Sequence, residues 1–173
     1  MEPLSPERIS ALFNREFEST DCTILAGGVD EPFFLPGKPS RIYFRSDFAR
    51  SALHEVAHWC VAGSYRRQLA DYGYWYSPDG RDSERQDAFF CVEAKPQAIE
   101  SIFCAAAGLP FAPSADNVER SPNRAEIAHF LQRILHWQQR FALSGLPARA
   151  ARFLGCLRSH GSDDAGHADS LPT

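Results

Sequence analysis

Apolar positions along the chain recur at two periods, and the alternation between them predicts a helix-rich domain with a small sheet. Ile9, Leu12, Phe13 and Phe17 share one helical face, Ser5 can cap that helix, and Pro6 fits its first position. Cys22 to Ala26 is apolar and β-branched and is closed by Gly27-Gly28, so it reads as a strand. Pro32, Pro36, Gly37 and Pro39 break the next stretch into loop, and Arg41 to Arg45 reads as a second strand. A second helix is expected from a cap at Ser46 or Asp47. Its stripe is Phe48, Ala52, Leu53, Val56, Ala57, Cys60 and Val61, and Gly63 can end it. Tyr74 to Tyr76 suggests a short strand entering the turn Ser77-Pro78-Asp79-Gly80. Gln86 to Ala94 is helical or mixed, and Pro96 opens or kinks a helix ended by Gly108. After a loop over 108–123, a long helix starts at Pro122. Its expected apolar face is Ile127, Leu131, Ile134 and Leu135, and it reaches about Ser144. Pro147 starts a last helix to about Ser159. The expected class is α+β, with one domain over 1–158 and a disordered Gly-, Ser- and Asp-rich tail over 159–173.

Composition narrows the classes. With 173 residues, 44% of them hydrophobic, the chain can bury a core without disulfides or a structural metal. No run of 18 apolar residues is present, so no membrane partner is expected. The start lacks a charged region followed by an apolar one, and the five Cys show no paired spacing. Both features predict a reduced protein in the cytoplasm. A net charge of −4 argues against direct binding of nucleic acid.

The chemistry concentrates in the second helix, at His54-Glu55-Val56-Ala57-His58. In this HExxH pattern the two imidazoles are one turn apart and leave the same face, as two ligands of one metal ion must. The plainer reading, two histidines satisfied by neighbours, is costly on so apolar a helix. A catalytic metal needs a third protein ligand. Glu93 is preferred for its apolar flanks, with Glu100, Glu84, Asp79 and Asp82 as other carboxylates and His129 and His136 as more remote options. Glu55 is either a general base or a group orienting a ligand. Tyr74, Trp75 and Tyr76 form an aromatic block that is either a packed strand or a wall for a long amine. Asp79 and Asp82 beside it can pair with an ammonium group.

Three segments, SALHEVAHWCVAG (51–63), YGYWYSPDGRD (72–82) and VEAKPQAIE (92–100), resemble the elongation factor P hydroxylase family. AAGLPF (106–111) and GLPARAARFL (145–154) are similar to it as well. The resemblance implies a metal-dependent hydroxylase that uses O2 on the β-lysylated lysine of translation elongation factor P. It carries His54, His58 and Glu93 over as the metal ligands. Two His and one carboxylate suit non-heme Fe(II), although the same set would hold Zn(II) on an HExxH helix of the zincin-like kind. Glu55 is then the catalytic candidate, and Tyr74, Trp75, Tyr76, Asp79 and Arg81 are the substrate-binding candidates. The alternative is a zinc metallopeptidase with Glu55 as general base.

Overall fold

The Ser5 hydroxyl accepts a hydrogen bond from the Arg8 amide (3.3 Å) and so starts α1 (Pro6–Asp21), whose buried face is Ile9, Leu12, Phe13 and Phe17. The computed structural model describes residues 2–46, 48–73, 81–115 and 122–163, with no account of the side chains of 160–163. Tyr74 to Gly80, and Asp47 with its capping role, lie outside the described residues.

A three-stranded sheet follows, ordered β1-β3-β2 (β1 Thr23–Val29, β2 Phe33–Leu35, β3 Ser40–Arg45). β1 runs parallel to the central β3, and β2 runs antiparallel to it. Gly27-Gly28 does not close the first strand as expected. β1 continues through both glycines to Val29, and the ladder slips between Ala26 and Val29. Gly27 is needed there because a Cβ would stand 2.8 Å from the Phe44 ring, and Gly28 has φ +98°. Part of the expected loop is also strand. Pro32 and Pro36 bracket β2 without entering it, and Phe34 between them is buried and stacked on Tyr72 at 4.5 Å.

The second helix, α2 (Ala49–Val61), starts later than predicted. Phe48 precedes it with no side-chain cap, and Ser51 rather than Ser46 accepts a hydrogen bond at this end, from the Arg45 amide (3.0 Å). Its burial is wider than one stripe. Trp59, outside the predicted face, is 1% exposed, whereas Phe48 is 49% exposed. At the far end, Arg149 donates to the carbonyls of Trp59, Cys60 and Ala62 (2.9, 3.2 and 2.6 Å), three of the groups a helix end leaves unpaired.

The third helix, α3 (Ser83–Ala106), is unbroken, with Asp82 capping it through the Arg85 amide. Pro96 neither opens it nor ends it. An internal proline costs about 3 kcal/mol, chiefly through one lost backbone hydrogen bond and a clash. Here burial on several sides (Phe89, Phe90, Ala94, Ala98, Ile99, Phe103, Cys104) offsets that cost. The fourth helix, α4 (Arg124–Ser144), opens with an Asn123/Glu126 capping box. Its buried seam is Phe130, Ile134 and Phe141; of the predicted stripe Ile134 is buried and Ile127 partly so, whereas Leu131 and Leu135 are exposed. The Phe130 ring, stacked 4.2 Å from Phe90, fixes which face turns inward. The last helix, α5 (Ala148–Asp163), runs four residues past Ser159 into the segment expected to be tail.

Phe13, Phe17, Trp59, Phe103 and Phe153 bring α1, α2, α3 and α5 into one aromatic cluster, with centroids 4.7 to 5.6 Å apart along the Phe13–Phe17, Phe13–Trp59, Phe17–Trp59, Phe13–Phe153 and Phe103–Phe153 pairs. That packing presents α2 to α3. No helix among the described residues is long and apolar enough to cross a membrane.

Candidate metal centre

Four-residue spacing on α2 stacks His54 above His58, with their Nε2 atoms 3.1 Å apart. From α3, Glu93 meets both: its Oε1 is 3.3 Å from His58 Nε2, and its Oε2 is 3.7 Å from His54 Nε2. The three ligand atoms lie within 4.8 Å of one another. Nitrogen and oxygen ligands sit about 2.0–2.2 Å from a first-row divalent ion, so neighbouring ligand atoms on one ion stand about 3.0–3.5 Å apart. The observed separations therefore fit a single ion with small side-chain adjustment. The two histidine side chains keep partial exposure, 25% for His54 and 12% for His58, and face a buried carboxylate.

The carboxylates set the charge state. Burial opposes ionisation of Glu93, but His58, by charge and hydrogen bond, then His54 and the Gln97 amide outweigh it and hold the carboxyl down at about 2. Burial likewise opposes a charged His54. The Glu100 hydrogen bond and the charges of Glu100, Glu93 and Glu55 overcome it and raise that imidazole to about 10. Glu100 Oε2 lies 2.9 Å from His54 Nδ1. A carboxylate oxygen facing the ring accepts, so Nδ1 keeps its proton, and Nε2 is the nitrogen that gives up a proton when an ion binds. Such carboxylate-rich surroundings, with two imidazole nitrogens aimed at one point, are a donor set a divalent cation would relieve.

The sequence profile described as elongation factor P hydroxylase matches residues 12–170. The chain belongs to the elongation factor P hydroxylase family. A relative from Haemophilus influenzae, elongation factor P lysine hydroxylase, is 47% identical over 148 residues, which is 83% of this chain and 82% of that protein. The matched span of this family member takes in α2, α3 and the loop behind them, and so every residue of the site.

Within this elongation factor P hydroxylase fold the sequence candidates separate. His54, His58 and Glu93 come together. Glu100, the other carboxylate considered as a third ligand, touches the far nitrogen of His54 instead. Glu55 is half-buried and has no hydrogen-bond partner among the described residues. Burial raises its carboxyl pKa, with Glu93 and Asp71 adding to the rise and the two histidines opposing it. Asp82 is spent on the α3 cap, Glu84 is exposed in the first turn of α3, and His129 and His136 are exposed on α4. Tyr74, Trp75, Tyr76 and Asp79 lie outside the described residues. Arg81, expected beside the substrate, is 3% exposed. Its guanidinium donates to Gln86 Oε1 and the Ala115 carbonyl (3.1 Å each) and stacks 4.0 Å from the Phe89 ring. These contacts tie it to α3 and to the loop at Ala115.

Sequence reasoning missed the residues behind the ligands. Gln97 donates to Glu93 (3.4 Å) and clasps Ser114 through both its carbonyl and its amide (2.9 and 3.0 Å). Arg50 binds Glu100 and the Ala112 carbonyl (2.9 and 2.5 Å). A signal was present. Glu93, Gln97 and Glu100 fall at i, i+4 and i+7, one polar line among the apolar residues Phe89, Phe90, Ala94, Ala98, Ile99 and Phe103, and Arg50 stands one turn before His54.

Proposed function

We propose that this chain hydroxylates the β-lysylated lysine side chain of elongation factor P, with one Fe(II) ion held by His54, His58 and Glu93 and with O2 as co-substrate. The observation that carries the metal reading is the convergence of two imidazole nitrogens and one buried carboxylate within 4.8 Å. The substrate reading rests on family membership. Iron bound there would supply the dioxygen chemistry that no side chain can perform. Three protein ligands leave positions open for it, as a two-His, one-carboxylate set does. The HExxH helix then serves as the ligand helix of a zincin-like arrangement turned to oxidation.

The chain's own residues prepare this site. Glu93 stays ionised at any physiological pH, so it offers full charge to the cation. Glu55, with its raised pKa and no competing hydrogen bond, is suited to hold a proton beside the reacting centre. Tyr74, Trp75 and Tyr76 would line the path of the long side chain, and Asp79 would meet its ammonium group. A protein substrate that serves translation puts the reaction in the cytoplasm.

Incubating β-lysylated elongation factor P with the protein, Fe(II) and O2 should add one oxygen atom to the modified lysine by mass spectrometry. Zinc should not support it. Cleaved elongation factor P, formed equally with Zn(II) and without O2, would instead favour the metallopeptidase class, which family membership does not support.

A further inference from the structure

We propose that Glu100 is the positioning residue of His54, locked in place by Arg50, and that it sets the affinity of the centre without touching the ion. The inference rests on the metal reading above. Glu100 is 2% exposed, and a carboxylate that deep is costly unless both oxygens are paired. Both are. Oε1 receives Arg50 through Nε and Nη2 (3.3 and 2.9 Å), and Oε2 receives His54 Nδ1 (2.9 Å). With each oxygen committed, Glu100 has no strong lone pair directed at the Nε2 atoms of the two histidines.

The geometry forms a closed circuit across two helices. Arg50 and His54 are one turn apart on α2, and Glu93 and Glu100 are two turns apart on α3. Glu93 meets the Nε2 side of His54 while Glu100 grips its Nδ1 side, so the ring is held from both edges. Such a grip fixes the tautomer, restrains the ring rotation and strengthens Nε2 as a donor. Arg50 in turn is restrained, because the same Nη2 that reaches Glu100 also donates to the Ala112 carbonyl and the Phe111 ring lies 5.6 Å from its guanidinium.

The test is titration with Co(II) alone, followed by its visible absorption bands, on the full chain and on His54→Ala, Glu100→Gln and Glu100→Ala. Far-UV circular dichroism and thermal melts run alongside. His54→Ala should abolish binding. Glu100→Ala should weaken it about 10- to 100-fold, the usual effect of removing the partner of a metal-bound histidine. Glu100→Gln, which keeps the shape and one acceptor oxygen, should fold normally and fall between, with shifted bands. Two results overturn the proposal: both Glu100 variants binding Co(II) as the parent does, with only their melting points lowered, or both losing binding as completely as His54→Ala, which would make Glu100 a ligand. If the parent chain itself binds no Co(II), the metal reading fails, and this inference with it.

Discussion

Two regions meet on α2 only five residues apart, and they stabilise the fold in opposite ways. Around Trp59, five aromatic rings from four helices pack with little regard for polar detail. Trp59 Nε1 and Arg149 Nε are both buried there without a hydrogen-bond partner among the described residues. Around His54, little is left to packing, and both oxygens of Glu93 and of Glu100 have named partners. Apolar contact is non-directional and forgiving, so it can bring helices together but cannot aim an atom. Hydrogen bonds to buried charges are directional and costly to lose, so they can. The aromatic cluster sets how α2 lies on α3, and the polar circuit sets where Nε2 points.

Separating the two is a matter of choosing the variant. The largest functional effect is expected from His58→Ala. Metal content and hydroxylation should fall to background while the melting transition of the metal-free protein barely moves. A variant that keeps bound metal would remove His58 from the centre. Trp59→Ala should do the reverse. Truncating a buried aromatic costs about 3–5 kcal/mol, so chemical denaturation should show a loss of that size, with metal affinity retained in the fraction still folded. Loss of affinity without loss of stability would mean that the cluster aims the histidines after all.

The smallest effect is a pH dependence confined to the polar region. In chelator-treated protein, His54 is raised from 6.5 to about 10, so its contribution to stability is full below about pH 6.5 and is lost as pH rises towards 10. Glu93 is depressed from 4.5 to about 2, so its contribution is present above about pH 4.5 and is lost as pH falls towards 2. Stability from the pair should therefore be greatest between these limits. A bound cation takes the place of the Nε2 proton, so the metal-loaded and chelated melting curves should diverge as pH climbs above 6.5. Parallel curves over that range would show that His54 does not exchange a proton for the metal.

What could be read from the sequence follows the same division. The face of α1 was plain because one period and one cap specify it, and HExxH was plain because four-residue spacing is itself the geometry. Trp59 was left off the stripe because α2 is covered on more than one side, so no single stripe describes it. Pro96 does not open a helix, because enough burial surrounds it for α3 to run through. The Leu131/Leu135 stripe was chosen by hydrophobicity, where ring stacking on Phe90 decided the face. Glu100 could be found as a candidate but not given its part. Its partners Arg50 and His54 lie 50 and 46 residues away, and only the packing of α2 on α3 shows which nitrogen it reaches.

The loop over 111–115 has a use of its own in redesign. Arg50, Gln97, Arg81 and Gln86 all grip it through main-chain atoms of Ala112, Ser114 and Ala115. Side-chain identity at the exposed Ala112 and Ser114 is therefore decoupled from the anchoring, whereas Ala115 also packs against the core. The chemistry at 112 and 114 can be rewritten to alter the surface beside the centre while the donors behind it keep their hold. Proline at 114 is the exception, since it lacks the N–H that Gln97 accepts.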